Sequence, residues 1–142
     1  MKSKILVPVD GSDGSLRAVK YAAENNKRLV DPELHLVNVQ PAGDDWMVRR
    51  MIKSQELEKM AREWFETAMA PARELLAKAG VKAHEHFVQG DVAPTLVQLA
   101  KDLGCTQIVM GTRGMSALGG LLMGSVAVKV LHHAHVPVTF VK

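Results

Sequence analysis

The sequence predicts a single α/β domain with a parallel sheet covered by helices on both faces. Short apolar runs of strand length alternate along the chain with longer segments of helical periodicity. Strands separated by helices of roughly ten or more residues form parallel βαβ units with right-handed crossovers. The 142 residues, 47% of them hydrophobic, supply one core without metal or disulfide support. We therefore expect one domain over residues 1–142.

The first half of the chain predicts two strands and two helices. The apolar run Ile5–Val9 is the first strand, and the turn-forming run Asp10–Gly14 follows it, with Ser12 or Asp13 available to cap a helix. Helical spacing then continues to Leu29 and predicts the first helix, before a second strand over Leu34–Val39. His35 and Asn38 interrupt the aliphatic side chains of that strand.

The next periodic segment predicts a long helix from about Arg50 to Ala79. Its apolar residues trace one helix face, and Gly80 stands where a helix would end. Pro71 lies inside this segment, so we expect it to kink the helix or to split it in two.

The second half predicts three more strands and two more helices. The expected order is a strand over Val81–Val88, a helix over Val92–Leu103 with Pro94 tolerated in its first turn, a strand over Thr106–Met110, a helix over Gly124–Ala134 and a strand over Val136–Val141.

Charge, aromatic content and cysteine count exclude several classes of function. The net charge of +3 is spread among acids, and aromatic residues make up only 4%, which argues against nucleic acid as a partner. No apolar stretch is long enough for a membrane span, and the amino-terminal run is too short for a signal peptide. The lone Cys105 excludes an intramolecular disulfide and is expected to be a small buried hydrophobe. We expect a soluble cytoplasmic protein.

The glycines near the carboxyl end form the most informative pattern. The strand that ends at Met110 is followed by Gly111-Thr112-Arg113-Gly114, then by nine residues, then by Gly124-Ser125. Glycines let backbone N–H groups close on an anion, so the pattern is typical of a phosphate cradle. Ordinary turn glycines remain an alternative, and the GXXG clamp of KH modules fits poorly because it joins two helices. A Walker loop is excluded because no Gly-Lys-Ser/Thr occurs.

These residues resemble the universal stress protein family, in the subgroup that binds ATP. The similarity rests on the opening run Ile5–Ser12, on the Gly111-x2-Gly114-x9-Gly124-Ser125 signature and on the closing Val136-Pro137-Val138, and it covers essentially the whole chain. The resemblance implies a Rossmann-like sheet, similar to the adenine nucleotide alpha hydrolases, with strand order 3-2-1-4-5. In such an order the winding reverses between strands 1 and 4, where open parallel sheets bind ligands.

The resemblance also implies roles for individual residues. Pro8, Val9 and Asp10 would border the adenosine, with Val39 packing on adenine. Met110, Gly111, Arg113 and Gly114 would line the ribose and phosphates, and Gly124, Ser125 and Val126 would complete the phosphate site. ATP would be the ligand, with Mg2+ bound through the phosphates. The sequence leaves any metal-ligating residues unknown, and Asp10 could instead serve only to cap the first helix.

Two other features have competing interpretations. His132, His133 and His135 could suggest a metal, but they end a helix and are better explained as surface histidines. Trp46 lies in a predicted loop near the end of the second strand, where it could form a lid, contact a partner or simply pack.

Three functions follow from this pattern. The first is a homodimeric, ATP-binding regulatory or protective protein of the stress response with little turnover. The alternative is a slow ATP hydrolase or nucleotidyl-transfer enzyme on the same scaffold, although Asp10 is the one acid clearly placed at the site. The third is a dimeric interaction module with a vestigial pocket. In each dimer the apolar run Val136–Val141 would pair as an edge strand, as the resemblance implies.

Overall fold

The computed structural model describes residues 2–41, 53–112 and 123–142. Within these ranges five strands alternate with four helices. In chain order they are β1 (Ser3–Pro8), α1 (Asp13–Asn26), β2 (Pro32–Gln40), α2 (Ser54–Ala79), β3 (Ala83–Gln89), α3 (Val92–Leu103), β4 (Gln107–Gly111), α4 (Ser125–His133) and β5 (Val138–Val141).

The strands form one parallel sheet in the order β3-β2-β1-β4-β5. This confirms the predicted fold class and strand order. Because β1 lies beside both β2 and β4, the chain winds in one direction through β3 and in the other through β5, so the carboxyl ends of β1 and β4 flank the reversal.

Side chains alternate between two cores, one on each face of the sheet. Ile5 and Val7 of β1, and Val9 just after it, pack beneath α1 and α2, whereas Leu6 packs with α3 and α4. All four are at most 3% exposed. Central strands that are buried on both faces explain why the sequence shows continuous aliphatic runs rather than alternation.

Local sequence explains where several helices begin and end. Ser12 is the N-cap of α1, and its Oγ accepts the backbone N–H of Ser15 at 3.1 Å. Gly80 and Gly104 follow α2 and α3 with φ of 69° and 70°, a left-handed conformation that glycine adopts without strain.

The predicted split of this helix at Pro71 is wrong, because α2 runs without interruption from Ser54 to Ala79. The kink expected as the alternative stays a prediction. Pro71 is exposed and Ala72, on the buried side of α2, is 1% exposed. Pro71 has no N–H to donate to the preceding turn. Because Pro71 lies on the solvent side of α2, the carbonyl that lacks this donor is not buried. The predicted start of this helix at Arg50 and the Trp46 loop lie outside the described residues.

Candidate functional site

The candidate site lies at the carboxyl ends of β1 and β4, where three predicted site residues end strands. Pro8 ends β1, and Met110 and Gly111 end β4. The period-two alternation places Pro8 and Met110 on the α3 and α4 side of the sheet, together with Val39 near the end of β2. The fold therefore places the side chains of Pro8, Val39 and Met110 on one face and at one edge of the sheet.

The two halves of the glycine pattern are joined by backbone hydrogen bonds. The Gly124 N–H donates to the Thr112 carbonyl, and the Thr112 N–H donates to the Val141 carbonyl at 3.2 Å. Gly124 is thereby fixed beside the end of β4. Residues that are distant in sequence thus meet at the reversal of the sheet.

The start of α4 has no side-chain cap. Gly124 is its N-cap and supplies no side-chain hydrogen bond, while Ser125 is exposed and Val126 is half-buried. The first N–H groups of a helix have no partner within the helix, and they carry partial positive charge. Such a terminus attracts a phosphate or carboxylate, with the Ser125 hydroxyl as an additional donor.

The turn after β1 is held by its own side chains. The Asp10 Oδ1 accepts the Ser12 N–H at 2.9 Å, so the Asp10 carboxylate shapes the turn while Ser12 caps α1. Gly11 has a φ of 85°, which favours glycine at this point. The alternative in which Asp10 itself caps the helix is therefore wrong.

Val9, which is expected to border the adenosine, has a buried side chain, and its contact with a ligand stays a prediction. Its side chain is 3% exposed and packs in the core beneath α1 and α2. Its N–H donates to the Val37 carbonyl at 2.8 Å, and its own carbonyl accepts the Asn38 side-chain amide at 2.8 Å. Val9 therefore offers a ligand little besides the remaining lone pair of its carbonyl.

Asn38 is a positioning residue to which the sequence analysis gave no role. It is 6% exposed, and its Oδ1 accepts the Gln40 amide, which also donates to the Ala61 carbonyl at 2.9 Å. This chain of hydrogen bonds connects the ends of β1 and β2 to α2. The signal was an amide within an aliphatic strand, since buried amides are retained where they have partners.

Gly111 has a packing requirement of its own. A methyl group in place of its hydrogen would lie 2.9 Å from the carbonyl carbon and oxygen of Gly14. The end of β4 therefore passes directly against the first turn of α1. Arg113 and Gly114, the other predicted residues of this segment, lie outside the described residues.

One small cavity borders the turn after β1. A cavity of about 60 Å³ lies between the turn after β1 and α2, with Val9, Gly11 and Ser12 in its lining. A groove of about 750 Å³ lies instead at the carboxyl ends of α1 and α2, lined by Lys20, Lys27 and Lys78 among others. This groove contains none of the predicted site residues.

Three further features bear on the sequence predictions. His132, His133 and His135 are exposed, as expected of surface histidines. In the described ranges, no group of three or more histidine, cysteine, aspartate or glutamate side chains is arranged to hold a metal ion. None of the helices described here is both long and apolar enough to cross a membrane.

The strand order defines an open, doubly wound α/β protein whose winding reverses between β1 and β4. The model of the universal stress protein family matches residues 1–142. The chain belongs to the universal stress protein family.

Curated relatives extend over nearly the whole chain. Universal stress protein MJ0531 of Methanocaldococcus jannaschii is 34% identical, covering 98% of this chain and 81% of the relative. Universal stress protein YxiE of Bacillus subtilis is 30% identical, covering 100% of this chain and 100% of the relative.

Solved structures share the fold. The hypothetical protein MJ0577 has a TM-score of 0.83 and 28% identity, over 99% of this chain and 95% of that one. A universal stress protein of Archaeoglobus fulgidus in complex with dAMP has a TM-score of 0.73 and 25% identity, over 99% and 98%. A universal stress protein in complex with cAMP has a TM-score of 0.66 and 25% identity, over 99% and 96%.

Proposed function

We propose that this protein binds an adenine nucleotide, with ATP as its ligand, at the crevice between the carboxyl ends of β1 and β4. The observation that carries the proposal is the hydrogen bond from the Gly124 N–H to the Thr112 carbonyl, which joins both halves of the glycine pattern beside the open start of α4. The role that follows is regulatory or protective, in the stress response and in the cytoplasm.

The phosphates are assigned to the glycine side of the crevice. Gly124, Ser125 and Val126 would present N–H groups at the helix start, while Met110, Gly111, Arg113 and Gly114 would line the ribose and phosphates. One helix terminus contributes only about 0.3 to 1 kcal/mol, so several donors and the permanent charge of Arg113 act together.

The adenosine is assigned to the α3 and α4 side of the sheet edge. Pro8, Val39 and Met110 share that face, and Val39 and Met110 belong to the apolar cluster there. Asp10 borders the same edge, and Val9 contributes backbone rather than side chain. The relatives crystallised with dAMP and with cAMP support an adenine nucleotide as the ligand class.

Mg2+ is assigned to the phosphates rather than to a protein cage. This ion prefers oxygen ligands and keeps several waters, and triphosphate oxygens suit it. The exposed Ser125 hydroxyl at the helix start could join these oxygens.

Turnover is expected to be low. Hydrolysis needs a positioned water and a group that accepts its proton. Asp10 is the acid nearest this role, and its Oδ1 already accepts the Ser12 N–H in the turn. Steady phosphate release that Asp10→Asn abolished would favour the hydrolase instead.

The test is mass spectrometry of any ligand released when freshly purified protein is denatured. Gly114→Val places a branched side chain against the phosphates, and we expect bound nucleotide to fall at least about tenfold, since close backbone approach is lost. Gly119→Val is the matched control, because it makes the same change at a glycine of the same segment outside the signature.

The control variant should retain nucleotide at the wild-type level. Nucleotide that persisted in Gly114→Val would move the site elsewhere. A wild-type protein that neither carried nucleotide nor bound added ATP and Mg2+ at millimolar concentration would leave the vestigial-pocket interpretation as the better one.

A further inference from the structure

Three imidazoles lie together across β2 and β3. In this group of His35, His84 and His86, which we call the histidine cluster, the rings of His35 and His84 stack with centroids 4.9 Å apart, and the ring centroids of His35 and His86 are 5.1 Å apart. His35 is 5% exposed and lies in the inner strand of the pair, whereas His84 is exposed on the edge strand.

A carboxylate fixes the proton position on His35. The Glu33 Oε1 lies 2.6 Å from the His35 Nε2. Hydrogen bonds from Lys2 and then from His35 lower the pKa of Glu33 to about 2, so this carboxylate is ionised at neutral pH and can only accept. The His35 Nε2 therefore carries a hydrogen.

The second ring nitrogen of His35 faces another imidazole. Its Nδ1 lies 2.9 Å from the His86 Nε2, a distance at which one hydrogen is shared. When both rings are neutral, His86 donates and His35 accepts. When His35 is the cation, it donates to both Glu33 and His86. The cluster can therefore take up one proton with both hydrogen bonds intact.

A second proton cannot be accommodated in the same way. If His86 were protonated as well, hydrogens on both facing nitrogens would abolish the hydrogen bond, and two cations would be in contact. Burial, followed by the charges of His35 and His84, lowers the pKa of His86. The second protonation is costly because His86 lies next to His35, which is buried.

The surrounding groups do not compensate a second charge. Glu33 already faces Lys2 at 3.0 Å and Lys4 at 3.9 Å. Burial raises the pKa of Cys105, which lies close enough to Lys4 and Glu33 to feel their charges, to about 11, so it remains a neutral thiol.

Within the part of the chain that the structure describes, no carboxylate of the helices forms a hydrogen bond or ion pair with the cluster. The buried side chains of α3 on this face are apolar: Ala93, Leu96 and Ala100. On the opposite face of β3, Glu85 is paired with Arg73 of α2, which also pairs with Glu66. Among the described residues, Glu33 is thus the one carboxylate connected to the cluster by a hydrogen bond or ion pair.

We propose that the histidine cluster is a proton-responsive latch between β2 and the edge strand β3, which takes up one proton with its hydrogen bonds intact and loosens β3 when a second proton binds. In the unfolded chain His86 protonates with its ordinary pKa of 6.5. Below pH 6.5 the unfolded chain therefore binds more protons than the folded protein. Folding stability falls as the pH drops from 6.5 towards the lowered pKa of His86 in the folded protein.

The test compares urea unfolding at pH 7.5 and pH 5.0 at equal ionic strength. His86→Gln keeps an amide that can donate to the His35 Nδ1 but cannot be protonated. Its loss of stability between the two pH values should be smaller than that of the wild type, by about tenfold in the unfolding equilibrium constant for each pKa unit by which His86 is lowered. His132→Gln removes an exposed histidine and should follow the wild type.

Measurements on the wild type keep the proposal testable if the variant does not fold. NMR titration should give a midpoint for His86 below 6.5, and amide protection in β3 should fall at pH 5.0 by more than protection in β1. The proposal is overturned if His86 titrates at 6.5 or above, if β1 and β3 lose protection equally, or if His86→Gln loses as much stability as the wild type.

Discussion

At Gly111 the end of β4 passes so close to α1 that only a hydrogen fits in place of a side chain. The nearest atoms belong to the backbone of Gly14, which is itself buried at the start of the helix. Backbone cannot swing aside as a flexible side chain can. The smallest residue is therefore required here for packing, whatever ligand the neighbouring crevice accepts.

Replacing Gly111 with alanine should destabilise the protein by about 1 to 3 kcal/mol, because the added methyl group forces β4 and α1 apart. Urea denaturation measures this as a lower midpoint with an unchanged slope. Gly104→Ala is an instructive contrast: its Cβ meets nothing within 4 Å, but its φ of 70° costs about 1 kcal/mol through backbone strain alone. A Gly111→Ala protein as stable as the wild type would contradict this account.

The site residues assigned from the sequence stay predictions, and the structure adds contacts that the sequence did not indicate. Gly111 was interpreted through its glycine neighbours, since its contact with Gly14 joins segments whose proximity only the folded chain reveals. Val9 was expected at the ligand, although alternation with Ile5 and Val7 already indicated that its side chain faces a core. The hydrogen bonds of Asn38 needed the three-dimensional positions of two strands and a helix.

At the scale of elements, the first turn of α1 depends on one hydroxyl. The Ser12 Oγ accepts the Ser15 N–H, and the Ser15 hydroxyl donates back to the Ser12 carbonyl at 2.9 Å. These bonds fix the point at which the chain leaves the candidate site and enters the helix. The start of α2 offers a comparison, since Ser54 follows the N-cap Lys53 and no side-chain cap is formed.

Ser12→Ala should lower the free energy of unfolding by about 1 kcal/mol, because an N–H of the first turn loses its partner. The matched change Ser54→Ala should stay within about 0.5 kcal/mol of the wild type. Thermal or urea unfolding of the three proteins measures both differences. Equal effects of the two substitutions would show that the cap hydroxyl is not the source.

Hydrophobic periodicity predicted the type and order of the elements, and it was less reliable at their ends. β2 extends from Pro32 to Gln40, beyond the apolar run, because its backbone pairs with β1 and β3 whatever the side chains are. Pro71 suggested a break that the buried side of α2 overrides. The strand order was available only through family resemblance, since periodicity alone does not choose between sheet orders.

At the scale of the whole molecule, β5 is the edge of the sheet beside the candidate site. Its four residues are all half-buried, and α4 exposes Val128 and Leu131 nearby. Backbone bonds to β4 use the carbonyls of Pro137 and Val141, so period-two geometry turns the N–H of Val138 away from β4. That outward edge is where we expect a second copy to pair, as family resemblance implies.

Val138→Pro should convert a dimer into a monomer with the sheet intact, because it removes an N–H that β4 does not use. Sedimentation velocity should then give a mass of twice the 15.5 kDa chain for the wild type and of one chain for the variant. The circular dichroism of the two proteins should be the same. Thr139→Pro, which removes an N–H turned toward β4, should instead unfold the edge. A wild-type protein that sediments as a monomer at micromolar concentration would argue against pairing through β5.

Cys105 gives the molecule a built-in reporter. Its thiol is 6% exposed, lies in the core beneath α3 and α4, and has a pKa raised to about 11, so almost none of it is the reactive thiolate at neutral pH. A thiol-labelling reagent can modify it only while that layer is open. Because the chain has a single cysteine, the rate of labelling measures how often this one layer opens. The measurement needs no engineered probe.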